Sequence, residues 1–413
     1  MYKERHIDAA IRKADKGFKA VLLTGARQTG KSTLLKHMYD GIPYVTFDDS
    51  VVLGETKREP GLFFKNNPLP LVLDEVQYIT ELFPYIKMQC DGTDINGQLH
   101  MTGSQHFHLM KNVSESLAGR IAVLELTGLS LREMNDEEFY DPFIPTGDFI
   151  EKRKSTAVLR NDIWDIIHRG SYPGLLDDLV DWEMFYSSYV RTYVDRDIND
   201  MSRVKDKLKF TAFMTAIAAR TGQMLNYSAV ADVAEVSVAT VKEWISLLEA
   251  SGIVFLLQPY SNSVLKRAVK TPKLYFRDTG LVCFLTRHRT ADTAKAGAMA
   301  GALFETFAVS EILKSFSNAG RDYRFLVTYY RGKDKRGSDR TGDNEIDILI
   351  EDGDTIYPVE IKMSANPKLS MTDSFDIVDK IPGKKRGTGV ILCRYENPLR
   401  LNERTVALPV EYI

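Results

Sequence analysis

Between Val21 and Met38 the sequence reads as an apolar run, Val21-Leu22-Leu23-Thr24, a glycine-bounded turn, Gly25-Ala26-Arg27-Gln28-Thr29-Gly30-Lys31-Ser32, and a helix-compatible stretch. Strand, loop and helix in this order are the setting in which G-x-x-x-x-G-K-[ST] cradles phosphate. Gly25 and Gly30 let the backbone wrap a β-phosphate with N–H groups, and the helix N-terminus adds positive potential. Lys31 then bridges phosphate oxygens, and Ser32 offers its hydroxyl to Mg²⁺. Residues Gly25 to Thr33 are the expected nucleotide-binding segment. Further short apolar runs at Tyr44 to Phe47, Leu69 to Leu73 and Leu99 to Met101, each bounded by turn or charged residues, predict a parallel α/β sheet.

Two of those runs end in residues that suit phosphate chemistry. Leu71-Val72-Leu73 leads into Asp74-Glu75, and Asp74 lies 43 positions after Lys31, the arrangement of a Walker B strand. Asp74 is expected to hold the Mg²⁺ shell through water, and Glu75 to polarise the attacking water. Leu99 to Met101 continues into Thr102-Gly103-Ser104. A sensor side chain is expected there, between the two Walker strands, with Ser104 the candidate and Thr102 and Gln105 its neighbours. His106 and His108 follow, but no third ligand accompanies them, so they are read as loop residues rather than a metal site.

Composition bounds the rest. At about 150 residues per domain, 413 residues predict two to four compact units. An apolar share of 44% and a charged share of 27% are those of an ordinary globular chain. A net charge of −2 excludes binding of nucleic acid by bulk positive charge. No apolar stretch approaches the length of a membrane span and the first residues lack an apolar signal core, so a cytoplasmic location is expected. Cys90, Cys283 and Cys393 form no Cys-x-x-Cys pair and are expected to be small buried hydrophobes.

The phosphate loop, Leu73-Asp-Glu-Val-Gln77, Thr102-Gly-Ser-Gln105, Ser116-Leu-Ala-Gly119-Arg120 and Leu129-Ser-Leu-Arg-Glu133 together resemble the AAA+ ATPases of bacteria and archaea that carry a C-terminal region of unassigned function. The resemblance spans nearly the whole chain. It implies ATP and Mg²⁺ as cofactors and ATP hydrolysis as the reaction. It makes Arg120 a candidate γ-phosphate contact or arginine finger, within its own chain or in an oligomer, against the plainer reading of an arginine paired with a surface carboxylate. Arg196 also matches a recurrent position of these proteins.

Between Leu131 and Glu151 there are seven acidic residues and one basic one, with Pro142, Pro145 and Gly147 among them. A linker or exposed excursion is expected, closing an ATPase domain over residues 1–150. Residues 151–220 favour helix and are expected as a lid or connector. Over 221–290, a helix from Asn226-Tyr-Ser228, a turn at Val236-Ser237, a helix to Ala250 and an apolar strand at Ile253 to Leu257 resemble a winged helix-turn-helix. Ser237, Thr240, Lys242 and Glu243 are then near its exposed side. From Ala250 to Arg277 there is no acidic residue, and Lys266, Arg267, Lys270, Lys273 and Arg277 make a candidate phosphate-binding face for DNA. Docking of a protein partner is the alternative.

Residues 291–413 return to helix, strands and helix. Glu345-Ile-Asp347-Ile-Leu-Ile350, the turn Asp352-Gly353-Asp354 and a second extended run to Met363 predict a hairpin. Alternation puts Glu345 and Asp347 on one face of the first strand and Glu360 and Lys362 on one face of the second. This pattern resembles the PD-(D/E)xK nuclease fold, although no proline precedes Asp347. The resemblance implies that Asp347 and Glu360 coordinate Mg²⁺ with Glu305 of the helix Leu303 to Phe316 as the extra acid, while Lys362 orients the attacking water. Inactive, DNA-binding and scaffold forms of such a fold remain open. The basic segment Arg331 to Arg340 is expected as a loop before the hairpin.

Overall fold

The structure is a computed structural model that describes residues 2–103, 117–158, 160, 162–193, 207–261, 271–332 and 344–413. Ser104, Gln105, His106, His108, Ser116, Arg196, Lys266, Arg267 and Lys270, and nearly all of the segment Arg331 to Arg340, lie outside the described residues. The chain divides into two compact units, one built on residues up to Leu129 with Leu248–Ile253 and Ser317–Arg321, the other holding the remainder.

In the first unit α1 (Asp8–Gly17) precedes β1 (Ala20–Thr24), α2 (Lys31–Met38), β2 (Tyr44–Thr46), α3 (Ser50–Arg58), α4 (Pro60–Asn66), β3 (Leu71–Asp74), α5 (Phe83–Asp91), β4 (Leu99–Gly103) and β5 (Ile121–Glu125). All five strands run parallel in the order β2-β3-β4-β1-β5. The expected sensor strand β4 therefore does lie between β1 and β3. Burial on both faces explains the unbroken apolar runs. Ala20, Leu22, Leu71, Leu73, Leu99 and Met101 pack on one face with Val76, Phe83 and Ile86. Val21, Leu23 and Val72 pack on the other with Ile7, Ile11, Leu34 and Leu35.

The second unit begins where a linker was expected, and that expectation is corrected. Ser130 opens α6 (Leu131–Met134) with a capping box, its hydroxyl accepting from the Glu133 N–H while Glu133 accepts from the Ser130 N–H. After α7 (Gly147–Thr156) come α8 (Ile163–Arg169), α9 (Trp182–Tyr193) and α10 (Lys207–Ala218). Phe139, Phe143 and Phe149 are buried and meet edge to face. Arg153 is fully buried. It donates to Glu137 at 2.6 Å, to the Glu411 carbonyl at 2.6 Å and to the Tyr412 carbonyl at 3.2 Å. Arg132 donates to the Ile413 carbonyl at 2.8 Å, and burial lowers its pKa to about 9. The acidic count misled because Glu133 and Glu137 are buried and bonded rather than solvated.

Further along, β6 (Gln223–Met224), α11 (Tyr227–Ala234), α12 (Val238–Ala250), β7 (Val254–Leu257) and β8 (Lys273–Phe276) follow α10. The strands form an antiparallel sheet, β6-β8-β7. The Asn226 side chain caps α11, and Glu235 takes a left-handed conformation at its end. After α13 (Thr279–Leu285), α14 (Ala291–Ala296) and the long α15 (Ala300–Asn318) come β9 (Val327–Gly332), β10 (Asn344–Asp352), β11 (Thr355–Ile361), β12 (Lys385–Arg386), β13 (Gly389–Cys393), β14 (Leu399–Asn402) and β15 (Thr405–Pro409). These make a mixed sheet, β14-β15-β13-β11-β10-β9, with β12 beside β11. The hairpin stands as expected: β10 and β11 pair Ile348 with Val359 and Asp352 with Thr355.

Cys90, Cys283 and Cys393 are free and buried. No helix of the described residues is long and apolar enough to cross a membrane.

Arg153→Met leaves the buried Glu137 charge and two carbonyls without their partner, so urea unfolding should show the chain destabilised by about 3–5 kcal/mol. Adding Glu137→Met should recover part of that loss.

Candidate functional site

The phosphate loop hangs between the end of β1 and the start of α2. Gly25 has φ +139°, and a Cβ there would stand 2.0 Å from the Leu126 carbonyl oxygen, so no other residue fits. Gly30, at φ +94°, turns the chain into α2. Lys31 is buried, and its Nζ donates to the Gly25 carbonyl at 3.0 Å and the Ala26 carbonyl at 2.8 Å. Thr29 donates to the Ala26 carbonyl at 2.9 Å and Arg27 to the Tyr78 hydroxyl at 3.3 Å. Gln28 and Thr33 are exposed on the loop and first helical turn.

Asp74 gathers the hydroxyls around it. Ser32 Oγ donates to its Oδ1 at 2.7 Å, Thr102 donates to the same oxygen, and Thr46 Oγ1 reaches Oδ2 at 3.4 Å. Thr102 also accepts from the Glu75 N–H at 3.1 Å, so one β4 hydroxyl fixes both acidic residues. Glu75 sits in the left-handed region, φ +58°, at the end of its strand, and Gln77 donates from its side chain to the Glu75 carboxylate. Burial and the neighbouring Asp74 raise the Tyr44 pKa well above its usual value.

These residues suit an Mg²⁺-nucleotide. The glycine cradle, the Lys31 ammonium held over the loop and the Ser32–Asp74 pair supply the phosphate and metal-facing groups that such a ligand requires. When bound, Mg²⁺ would neutralise charge on the phosphates.

Arg5 was missed by sequence reasoning. It is buried and donates to the Thr29 carbonyl and the Thr127 carbonyl, both at 2.8 Å, bracing the loop against the segment after β5. Nothing in Glu4-Arg5-His6 marks this, because its partners are 24 and 122 positions away. Thr46 and Tyr44 were likewise read only as part of a strand.

Arg120 is not a phosphate contact within its own chain. Its carbonyl accepts from the Lys19 N–H at 3.1 Å, at the start of β1, whereas the loop follows the end of β1. Five residues at about 3.3 Å each separate the two levels by about 16 Å. Its guanidinium instead pairs with Asp91 at the end of α5.

The C-terminal carboxylates do converge, but around a lysine. Lys273 Nζ lies 2.6 Å from Glu345, 3.4 Å from Glu305 and 3.6 Å from Asp347. Lys362 Nζ lies 2.6 Å from Glu360 and 3.7 Å from Asp347, and the Ile361 N–H donates to Asp347 Oδ2 at 2.9 Å. Tyr275 donates to Glu305 at 2.6 Å. Burial followed by the Asp347 charge raises Glu360 to about 7 and moves Glu305 upward as well. For Lys273, burial pulls the pKa down, but Glu305, Asp347 and Glu345 outweigh it and hold it above the usual lysine value. Among the described residues no group of three or more His, Cys, Asp or Glu side chains is arranged to hold a metal ion. Mg²⁺ in near-octahedral oxygen coordination does not fit where an ammonium already sits. The expected assignment of Glu305, Asp347 and Glu360 as metal ligands is corrected accordingly.

The basic face also changes. Lys273 is buried in that cluster, and Arg277 is half-buried, donating to the Tyr323 hydroxyl and packing over the rings of Phe255 and Tyr323. On α12 and the turn before it, Ser237, Lys242 and Glu243 are exposed and Thr240 is half-buried, with Ser237 capping the Thr240 N–H at 3.1 Å.

Residues 17–135 match the family described as AAA domain. With the sheet order and the loop geometry, this match supports a P-loop domain of AAA type over residues 17–135. Residues 160–292 match the domain of unknown function DUF8612, and residues 300–413 match the domain of unknown function DUF4143. Uncharacterized proteins of Mycobacterium tuberculosis and Mycobacterium bovis are each 25% identical over all of this chain and 85% of their own length. An uncharacterized protein of Methanocaldococcus jannaschii is 24% identical over 62% of this chain and 60% of its own length. Among solved structures, a Walker-type ATPase of Pyrococcus abyssi is similar at a TM-score of 0.43 and 14% identity, covering 69% of this chain and 96% of that one.

Thr102→Val removes the hydroxyl that orients Asp74 and Glu75 while keeping the volume. ATP turnover should fall about 10- to 100-fold, while ATP affinity, read by calorimetry, should change far less.

Proposed function

We propose that this chain binds ATP with Mg²⁺ and hydrolyses it, and that its nucleotide state is passed to the C-terminal region. The observation that carries this reading is the joint placement of Lys31, Ser32, Asp74 and Glu75, with Thr102 binding both acids. Lys31 bridges the phosphate oxygens, the 25–30 backbone and the α2 N-terminus receive their charge, and Ser32 and Asp74 hold the metal shell. Glu75, positioned by Gln77, orients the attacking water and accepts its proton. Ser104, next in the chain after β4, serves as the sensor of the γ-phosphate. Arg120 acts as a finger toward a second copy of the chain, since its own loop is beyond reach, and this requires assembly.

For the C-terminal region we propose a connector over 151–220, a winged helix over 221–290 and a PD-(D/E)xK-like domain over 291–413. The order helix, strand, helix, helix, strand, strand from α10 to β8 supports the second, and α15 followed by β9, β10 and β11 supports the third. DNA is the partner we favour for the winged helix, because Lys242 and Ser237 stand exposed on and before its second helix. A nucleotide-gated switch that docks a protein is the second reading, favoured by the loss of Lys273 and Arg277 from the basic face.

Lys31→Ala should abolish ATP binding, and Glu75→Gln should bind ATP but hydrolyse it at least about 100-fold more slowly. Unchanged turnover in both variants would remove the site assignment. Turnover measured with and without duplex DNA separates the partners: stimulation that fades as salt rises supports DNA, and indifference supports a protein.

A further inference from the structure

Four acidic side chains, Glu305, Glu345, Asp347 and Glu360, meet on one side of the β10–β11 hairpin, an arrangement that in a nuclease-like sheet implies a divalent cation. Here their charge is answered from inside the protein. Lys273 brings its ammonium within 2.6–3.6 Å of Glu345, Glu305 and Asp347, and only 5% of its side chain is exposed. Its backbone is fixed as well, because β8 is the central strand of its sheet and Lys273 pairs with Leu257 on one side and Met224 on the other. The Tyr329 ring lies 5.6 Å from its ammonium, adding a π-face to the carboxylates around it. Asp347 Oδ2 also accepts from the Ile361 N–H at 2.9 Å and lies 3.7 Å from Lys362 Nζ, so this carboxylate is engaged from two further sides.

The geometry points to Lys273 as a built-in counter-cation that takes the place of a divalent metal in the C-terminal carboxylate site. The cluster is then a metal-independent ion network that binds strand β8 to helix α15 and to the β10–β11 hairpin. In this arrangement the site does not cleave nucleic acid with Mg²⁺. Lys273 meets these carboxylates as a donor at 2.6 Å to Glu345 and 3.4 Å to Glu305 and as an ion-pair partner at 3.6 Å to Asp347, while the other lysine, Lys362, pairs with Glu360. This inference does not rest on ATP hydrolysis and stands or falls separately from it.

The test is Mn²⁺ binding followed by electron paramagnetic resonance on the full chain without nucleotide, in an Asp74→Asn background that removes the metal-facing carboxylate of the ATP site. With Lys273 intact, no bound Mn²⁺ is expected, and the melting temperature should not respond to Mn²⁺ or to EDTA. Lys273→Met in that background should gain one Mn²⁺ per chain, and adding Asp347→Asn should abolish it. A Mn²⁺ ion bound with Lys273 intact and lost in Glu360→Gln overturns the inference. So does a Lys273→Met chain that keeps its circular dichroism yet gains no Mn²⁺. If Lys273→Met does not fold, the melting temperatures of the Lys273-intact chain and its Glu360→Gln variant decide: a Mn²⁺-dependent rise abolished by Glu360→Gln overturns the inference, and no rise in either supports it.

Discussion

The buried carboxylate of Asp74 is the point on which the nucleotide site is organised. A carboxylate with little exposure is costly unless its oxygens accept hydrogen bonds, and here Ser32, Thr102 and Thr46 supply them from three different elements. That requirement ties the start of α2, the end of β4 and the end of β2 to β3. It can be met only in a sheet that sets β3 beside both β2 and β4, with β1 next to β4. The Gly25 backbone, pressed against the Leu126 carbonyl, closes the same arrangement from the β5 side, and Arg5 holds the loop to Thr127.

In the second unit, buried charges join elements alongside the apolar packing. Arg132 and Arg153 hold the helical turn at 411–413 through its carbonyls, and Glu311 accepts from the Leu131 N–H at 2.8 Å. Lys273 does the equivalent work between β8, α15 and β10. Such networks contribute less net stability than hydrophobic packing of the same volume. Their geometry is demanding, however, and an element shifted by one residue would leave a buried charge unpaired.

Much of the parallel sheet was legible in the chain. Strands buried on both faces have continuous apolar runs, and Gly25, Gly30, Lys31 and Ser32 carry a local backbone requirement that few other sequences satisfy. The hairpin at Asp352-Gly353-Asp354 was legible for a similar reason, since alternation and turn chemistry are both local. Charge was read less well. Lys273 and Glu137 are the same residue types whether solvated or buried, and counting them along the chain made a DNA face of one and a linker of the other.

What the sequence determined by itself was the strand, loop and helix that carry Gly25 to Ser32 and the placement of Asp74-Glu75 at a strand end, because these depend on spacing along a few neighbouring residues. Tertiary structure decided which distant side chains complete or cancel a site. Arg5 joins the loop from the N-terminal segment, Arg120 falls at the far end of the sheet, and Lys273 enters the carboxylate cluster from a strand more than thirty positions before Glu305, β8 (Lys273–Phe276) against α15 (Ala300–Asn318). Coulomb and hydrogen-bond energies depend on distance in space, and separation along the chain carries no information about that distance.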